Sequence, residues 1–360
     1  MNHMMNRIAL FTVLVVFASC ATTPRTAQED SRTPPLWVTD LMANTRTAYP
    51  NSEWLYAAVQ RERDAKAAES EAVTALAQIF RVDLDSVTVA NRQYVQAVGK
   101  VSGKATNVSI QASEVTQELR SASVISGLIG LQVESWTNPR DGRAYANARM
   151  NRKECSARYA AMIRENENVI SQLKKEAEDN PGTFEAYELL NLAYSVALVT
   201  DNFHSLLTVL DTSAISSRPS YGNAEAVRSL ARLAAQSIII TVKVEGDVGG
   251  RIEKAFSDCI TSKGFRTNAA GNNPYTLSVS FALEDVDLGN PRYIYARYVL
   301  NYSLKNRQGV EILAKSENDR DGHTRDNPSE ARQKVIRAAE KSIGSTGFAS
   351  NIDAYMASLL

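Results

Sequence analysis

The sequence predicts an α+β protein: two small domains, each an antiparallel sheet with helices, joined by a helical connector. Three observations lead there. Tyr275, Leu277, Val279, Phe281 and Leu283 alternate with Thr276, Ser278, Ser280, Ala282 and Glu284, as in a strand with one apolar and one polar face. Ala65, Ala68, Ala72, Leu76 and Ile79 recur at steps of three and four, as in a helix lying on a core. Between these regions lie helical runs punctuated by Asn180-Pro181-Gly182 and by Ser216-Ser217-Arg218-Pro219-Ser220-Tyr221-Gly222, with no alternating segment among them.

Composition narrows the function. The chain has 360 residues, with 40 basic and 40 acidic side chains and no net charge, so the strong positive field of a nucleic-acid binder is excluded. At 44% hydrophobic and 22% charged it reads as ordinary globular protein of about two domains.

The amino terminus stands apart. Arg7 precedes an apolar run from Ile8 to Phe17, then Ala18, Ser19 and Cys20, and then the polar Ala-Thr-Thr-Pro-Arg-Thr-Ala-Gln-Glu-Asp-Ser-Arg-Thr-Pro-Pro. The run is too short to span a bilayer and suits the core of a signal peptide. Small residues ahead of a Cys resemble a bacterial lipobox, although Phe17 stands where Leu is usual. That resemblance implies cleavage before Cys20, a thioether-linked lipid on Cys20 and acylation of the new amino terminus. Several acyl chains together hold a protein firmly at a membrane where one is marginal. An ordinary secretory signal with an incidental Cys, or an uncleaved anchor, is the competing reading. The expected organisation is a signal peptide at 1–19, a flexible tether at 20–33, a first domain at 34–180, a connector at 181–236 and a second domain at 237–360.

In the first domain, Pro34-Pro35-Leu36-Trp37-Val38 opens the fold and Tyr49-Pro50-Asn51 turns it. Trp54 to Val59 reads as a strand and Asp64 as the cap of the alanine-striped helix. Further strands are expected at 87–98, 124–136 and 143–150, the last two joined across Asn138-Pro139-Arg140-Asp141-Gly142. A long helix follows from about Asn151, with Tyr159, Met162, Val169, Leu173 and Ala177 inward. The Pro-Pro-Leu-Trp start, the Tyr-Pro turn, the strand into an Ala-rich helix and the final hairpin into a long helix together resemble the Lpp-twenty lipoprotein family over residues 34–180. Gln60-Arg61 stands where related members carry Gly. The resemblance implies an envelope lipoprotein, in some members part of a flagellar-associated assembly, with no catalytic residue to transfer.

Helices are expected at 184–200, 202–210 and 224–236. In the second domain Ile238, Ile240, Val242 and Val244 alternate as a strand, and Ile252, Ala255, Phe256, Cys259 and Ile260 form a helical stripe ended by Gly264. The strand through Tyr275 leads to others at 293–305 and 310–316. Asn327 caps a helix that starts on Pro328, and Phe348, Ile352, Tyr355, Met356 and Leu359 line the last. The order implies an antiparallel sheet covered on one side. It is similar in pattern to the amino-terminal domain of TolB and the middle domain of FlgT.

Candidate chemistry is sparse. Glu317, Asp319 and Asp321 ahead of Gly322 imitate a calcium loop, but its twelfth position falls on Pro328, so a solvated loop is the expectation and no metal is expected. Gly246-Asp247-Val248-Gly249-Gly250-Arg251 precedes a helix without the Lys-Ser/Thr of a phosphate loop, which leaves a tight turn. His204 and His323 adjoin no nucleophile motif, and no cofactor or catalytic residue is expected. Cys155 and Cys259 make no framework; a disulfide between them stays open, with a buried thiol expected at Cys259. Tyr293, Tyr295 and Arg297 share the polar face of their strand. They form a candidate interaction surface of residue types enriched at binding hot spots, against the alternative of cross-strand packing or cover by a neighbouring domain. The expected function is therefore non-enzymatic: an envelope lipoprotein held on the outer membrane through its lipid, facing the periplasm, and binding other envelope proteins. Binding of a lipid or small ligand is the alternative.

Overall fold

The computed structural model describes residues 33–80, 128–216, 219–247, 249–268, 273–289, 292–324 and 328–359. Cys20, the strand expected at 87–98 and the cap expected at Asn327 lie outside them. The protein is α+β, with a three-stranded and a five-stranded sheet among the described residues.

The Pro-Pro-Leu-Trp segment opens the fold as a short helix, α1 (Leu36–Ala43), which Asn44 ends in the left-handed conformation. Strands β1 (Trp54–Glu62), β2 (Gln132–Thr137) and β3 (Arg143–Asn151) form an antiparallel sheet in the order β1-β3-β2. The strand expected at 124–136 begins only at Gln132. Helix α2 (Ala65–Phe80) crosses the inner face, and Asp64 Oδ1 accepts the Ala67 N–H at 2.9 Å as its cap. Fully buried Ala68 and Ala72 share a core with Ala144, Ala146 and Ala148, small side chains that let helix and sheet approach closely. Ile79, expected inward, is 42% exposed; Phe80, the next residue, takes the buried place at the helix end.

Asn151 caps α3 (Arg152–Asp179), and Thr183 caps α4 (Phe184–Leu210). Two helices were expected in place of α4, at 184–200 and 202–210. The helix runs through because the Asp201 carboxylate faces outward from it. It accepts the Tyr221 hydroxyl at 2.6 Å and the Ala224 N–H at 2.8 Å, pinning the loop before α5 (Ala224–Ser237). Buried Asn166 and Thr200 tie α3 to α4 through a 3.0 Å hydrogen bond.

The second sheet contains β4 (Ile239–Glu245), β5 (Arg266–Asn268), β6 (Tyr275–Val286), β7 (Tyr293–Asn306) and β8 (Glu311–Thr324), in the order β5-β4-β6-β7-β8. It is mixed where an antiparallel sheet was expected: β4 pairs parallel with both β5 and β6. The cause is α6 (Arg251–Ser262), a helical crossover that returns the chain in the direction of β4. Strand β8 runs eight residues past its expected end at 316, because its register on β7 continues from Leu300↔Glu317 to Tyr293↔Thr324. Helices α7 (Pro328–Gly344) and α8 (Phe348–Leu359) close the chain.

Two large hydrophobic cores and one small cluster, of Trp37, Val38 and Tyr145, result among the described residues. The first gathers residues from Leu55 to Ala231, so the helices of 181–236 join the core of the first domain, packing largely on α3 and on each other. The second gathers α6, α7 and α8 against one face of β4, β6 and β7. Phe184, the first residue of α4, belongs to the second core. Only 1% exposed, its ring lies 5.2 Å from Phe265, 4.6 Å from Tyr275 and 5.9 Å from Tyr355. Helix α4 is thus the physical join, with its tip in one core and its body in the other.

Candidate functional site

The turns that imitate ligand loops are explained by their own side chains. After β4, both oxygens of Asp247 accept amides at the start of α6, from Ile252 at 3.2 Å and Glu253 at 2.9 Å. A carboxylate of the chain thus fills the position where a helix start would hold phosphate. Glu317, Asp319 and Asp321 lie on strand β8, not in the loop expected there. Alternate residues of a strand stand about 6.6 Å apart on one face, so these carboxylates do not converge. Glu317 turns to the core side, where it accepts the Tyr302 hydroxyl at 2.8 Å and the Ser342 hydroxyl at 2.7 Å. Asn351 in turn donates to Tyr302 Oη at 2.7 Å. No metal-binding cluster occurs among the described residues, and no helix there is long and apolar enough to cross a membrane.

Cys155 and Cys259 are buried thiols in separate cores, so the disulfide left open by the sequence does not form. Burial pushes the Cys259 thiol up from its ordinary value, which makes it a poor nucleophile at neutral pH. His204 is on α4 and His323 near the end of β8. Burial draws the His204 imidazole down, against Glu167 and Asp201, which pull it up. Its Nε2 is buried without a partner.

In the first domain the Tyr-Pro turn is clamped from the sheet. Arg149 pairs with Glu134, donates to Tyr49 Oη, reaches Gln132 Oε1 at 3.1 Å, and stands 4.6 Å over the Tyr49 ring. Burial raises the Tyr49 phenol to about 12, so it stays a hydroxyl at any physiological pH. Nearby, Asp40 accepts the Ala48 amide at 2.6 Å and the Thr45 hydroxyl at 2.5 Å; these bonds hold its carboxyl below the usual value. This aromatic and charged cluster is a strut that seats α1 and its loop.

What remains open is the other face of the second sheet. Its residues alternate with the buried row along β7: Ala296, Tyr298, Leu300, Tyr302 and Leu304 are buried, while Arg297, Asn301 and Lys305 are exposed. Lys243 and Glu245 of β4, Ser278 and Ser280 of β6, Asn301 and Ser303 of β7 and Ser316 of β8 line a shallow groove of about 580 Å³. Val279, Tyr302, Ala314 and Lys315 complete its lining, so hydrocarbon lies among the hydroxyls, amides and charges. Register places Ser278 opposite Ser303 and Ser280 opposite Asn301, so hydrogen-bonding groups stand in rows across the strands.

The structure puts the predicted surface residues on this face with unequal roles. Tyr293 is 44% exposed and Tyr295 half-buried. Arg297 is exposed but bound to Glu284 opposite it, with Nε to Oε2 at 3.0 Å, the cross-strand pairing posed as the alternative. The groove residues themselves were not singled out from sequence. Their signal was present in the polar half of the β6 alternation, without any sign that the face would lie uncovered. The array can hydrogen-bond a polar surface.

No family model and no curated protein matches the chain, so the resemblances to the Lpp-twenty, TolB and FlgT families rest on their motifs alone. Solved structures that are similar in part include the following three. A minor lipoprotein from Acinetobacter baumannii is 15% identical with a TM-score of 0.27, covering 31% of this chain and 91% of its own. A protein described as a lipoprotein from Caulobacter crescentus is 16% identical with a TM-score of 0.23, covering 33% and 87%. The secreted protein HP1454 from Helicobacter pylori is 10% identical with a TM-score of 0.37, covering 81% and 98%. At such TM-scores the likenesses carry no argument about architecture or activity.

Proposed function

We propose that this chain is a non-enzymatic lipoprotein of the bacterial envelope that docks onto another envelope protein through the uncovered face of its second sheet. Acyl chains on Cys20 hold it at the outer membrane, on the periplasmic side. Ala21 and Thr22 lack the Asp of the inner-membrane retention signal. A membrane-associated assembly, flagellar or secretion-related, is the setting its Lpp-twenty-like motifs favour.

One observation carries the docking role. Helices α6, α7 and α8 all pack on one face of the sheet, and among the described residues the other face stays an open bed of Ser278, Ser280, Asn301 and Ser303. Hydroxyls and amides in rows offer donors and acceptors at strand spacing, suited to a wet, polar contact. Tyr293 and Tyr295 add aromatic area at one end of the same face.

Site-specific photocrosslinking in the native cell tests this. A benzophenone side chain at Ser280, and separately at Tyr293, is expected to give a discrete adduct with an envelope protein. The same probe at Glu165, exposed on α3, should give none. Absence of adducts from both face positions, or identical adducts from Glu165, would refute the docking role.

A further inference from the structure

Helices α4 and α5 and the carboxyl-terminal end of α6 line a groove of about 650 Å³ at the junction of the two domains. Tyr187, Asn191 and Tyr194 of α4 form one wall, one helical face at steps of four and three. Arg228 and Arg232 of α5 form the other, with Lys263 at the end. Ala231 and Ala235, each 3% exposed, are the floor, and their small side chains keep it open. None of the lining residues is acidic.

The charge balance sets this groove apart from the one between α6 and α7. Between α6 and α7, Arg251 meets Glu340 through two bonds of 2.7 Å, and Lys254 meets Asp258 at 2.6 Å. Each cation there has its own carboxylate. In the α4–α5 groove Lys263 is matched by Asp353 at 2.6 Å, but Arg228 and Arg232 share the single carboxylate of Glu225, at the looser distances of 3.6 and 3.3 Å. Arg228 also lies 5.6 Å over the Tyr194 ring. Such a contact steadies a guanidinium while leaving its edge N–H groups available. A steadied Arg228 beside Arg232, the pair carrying one positive charge in excess, is matched to a carboxylate or a phosphate.

We infer that this groove binds a small hydroxylated anion, such as a sugar acid or a sugar phosphate. Its charged group bridges Arg228 and Arg232, and its hydroxyls meet Asn191, Gln236 and Ser262. The site is separate from the sheet face and does not depend on the docking role.

Calorimetric titration of the detergent-extracted full-length protein tests it at low salt, with N-acetylmuramic acid as the carboxylate probe and glucose 6-phosphate as the phosphate probe. At least one should bind, and the one that binds identifies the anion. The double variant Arg228→Gln/Arg232→Gln, at two exposed positions that leave the fold intact, should weaken binding about tenfold or more. Lys254→Gln, whose charge is already matched, should leave it unchanged. Failure of both probes to bind at millimolar concentration would overturn the inference. So would equal affinity in the double variant, or an equal loss in Lys254→Gln.

Discussion

Gly246→Ala is expected to unfold the second domain, with a loss of at least ~3 kcal/mol. Gly246 ends β4 with φ at +80°, a region costly for any side chain. A Cβ there would also sit 2.1 Å from the carbonyl oxygen of Phe281. That oxygen belongs to the backbone of β6, the strand paired with β4 from Ile240↔Tyr275 to Glu245↔Ser280. It cannot move away without opening the ladder. Gly249 supplies the control: its φ is +81°, and nothing lies within 4 Å of an added Cβ. Gly249→Ala should therefore cost only the conformational part, about 1–2 kcal/mol. Urea unfolding followed by circular dichroism compares the two. Equal losses would show that the close approach to Phe281 does not exist.

Phe184→Ala is expected to cost ~3–5 kcal/mol, the range for emptying a buried aromatic site. The effect should also be directional. The Phe184 ring is surrounded by Phe265, Tyr275 and Tyr355, and its amide donates to Tyr275 Oη at 3.3 Å. The rest of α4 is packed in the other core. Removing the ring therefore detaches the tip of α4 and leaves its body in place. In hydrogen exchange read by mass spectrometry, amides of β5 and α8 should lose protection while those of α3 keep theirs. A uniform loss over both domains would mean that Phe184 is ordinary core and not the join. Phe184→Leu, which refills much of the volume, should recover most of the difference.

Local physics was largely legible in the sequence. The alternation in β6 placed Tyr275, Leu277, Val279 and Phe281 in the buried row, with Leu283 half-buried at its end, because a period of two admits only two assignments of faces. Asp64 announced its helix because capping is a short-range hydrogen bond. Elements decided by distant partners were not legible. The parallel pairing of β4 depends on where α6 returns the chain. The length of β8 depends on β7, since Glu317-Asn318-Asp319-Arg320-Asp321 has little intrinsic preference for a strand. Continuity of α4 required knowing that Asp201 would serve Tyr221 and Ala224. For the candidate site, Tyr293 and Tyr295 were visible as face residues, but the partner of Arg297 was not, nor was the absence of cover over Ser278, Ser280, Asn301 and Ser303. The Arg228–Arg232 groove has no sequence signature, since its walls come from three helices and its distinguishing feature is the sharing of Glu225.

The central claim is that this protein is held at the envelope by a lipid and works there by attachment. Intact-mass spectrometry of the protein extracted from cell membranes tests it most directly. The account predicts a mature chain that begins at Cys20 and carries the added mass of its acyl chains. Cys20→Ser should yield an uncleaved or soluble chain with both domains folded. A Ser variant that is cleaved and membrane-bound like the wild type would contradict the account.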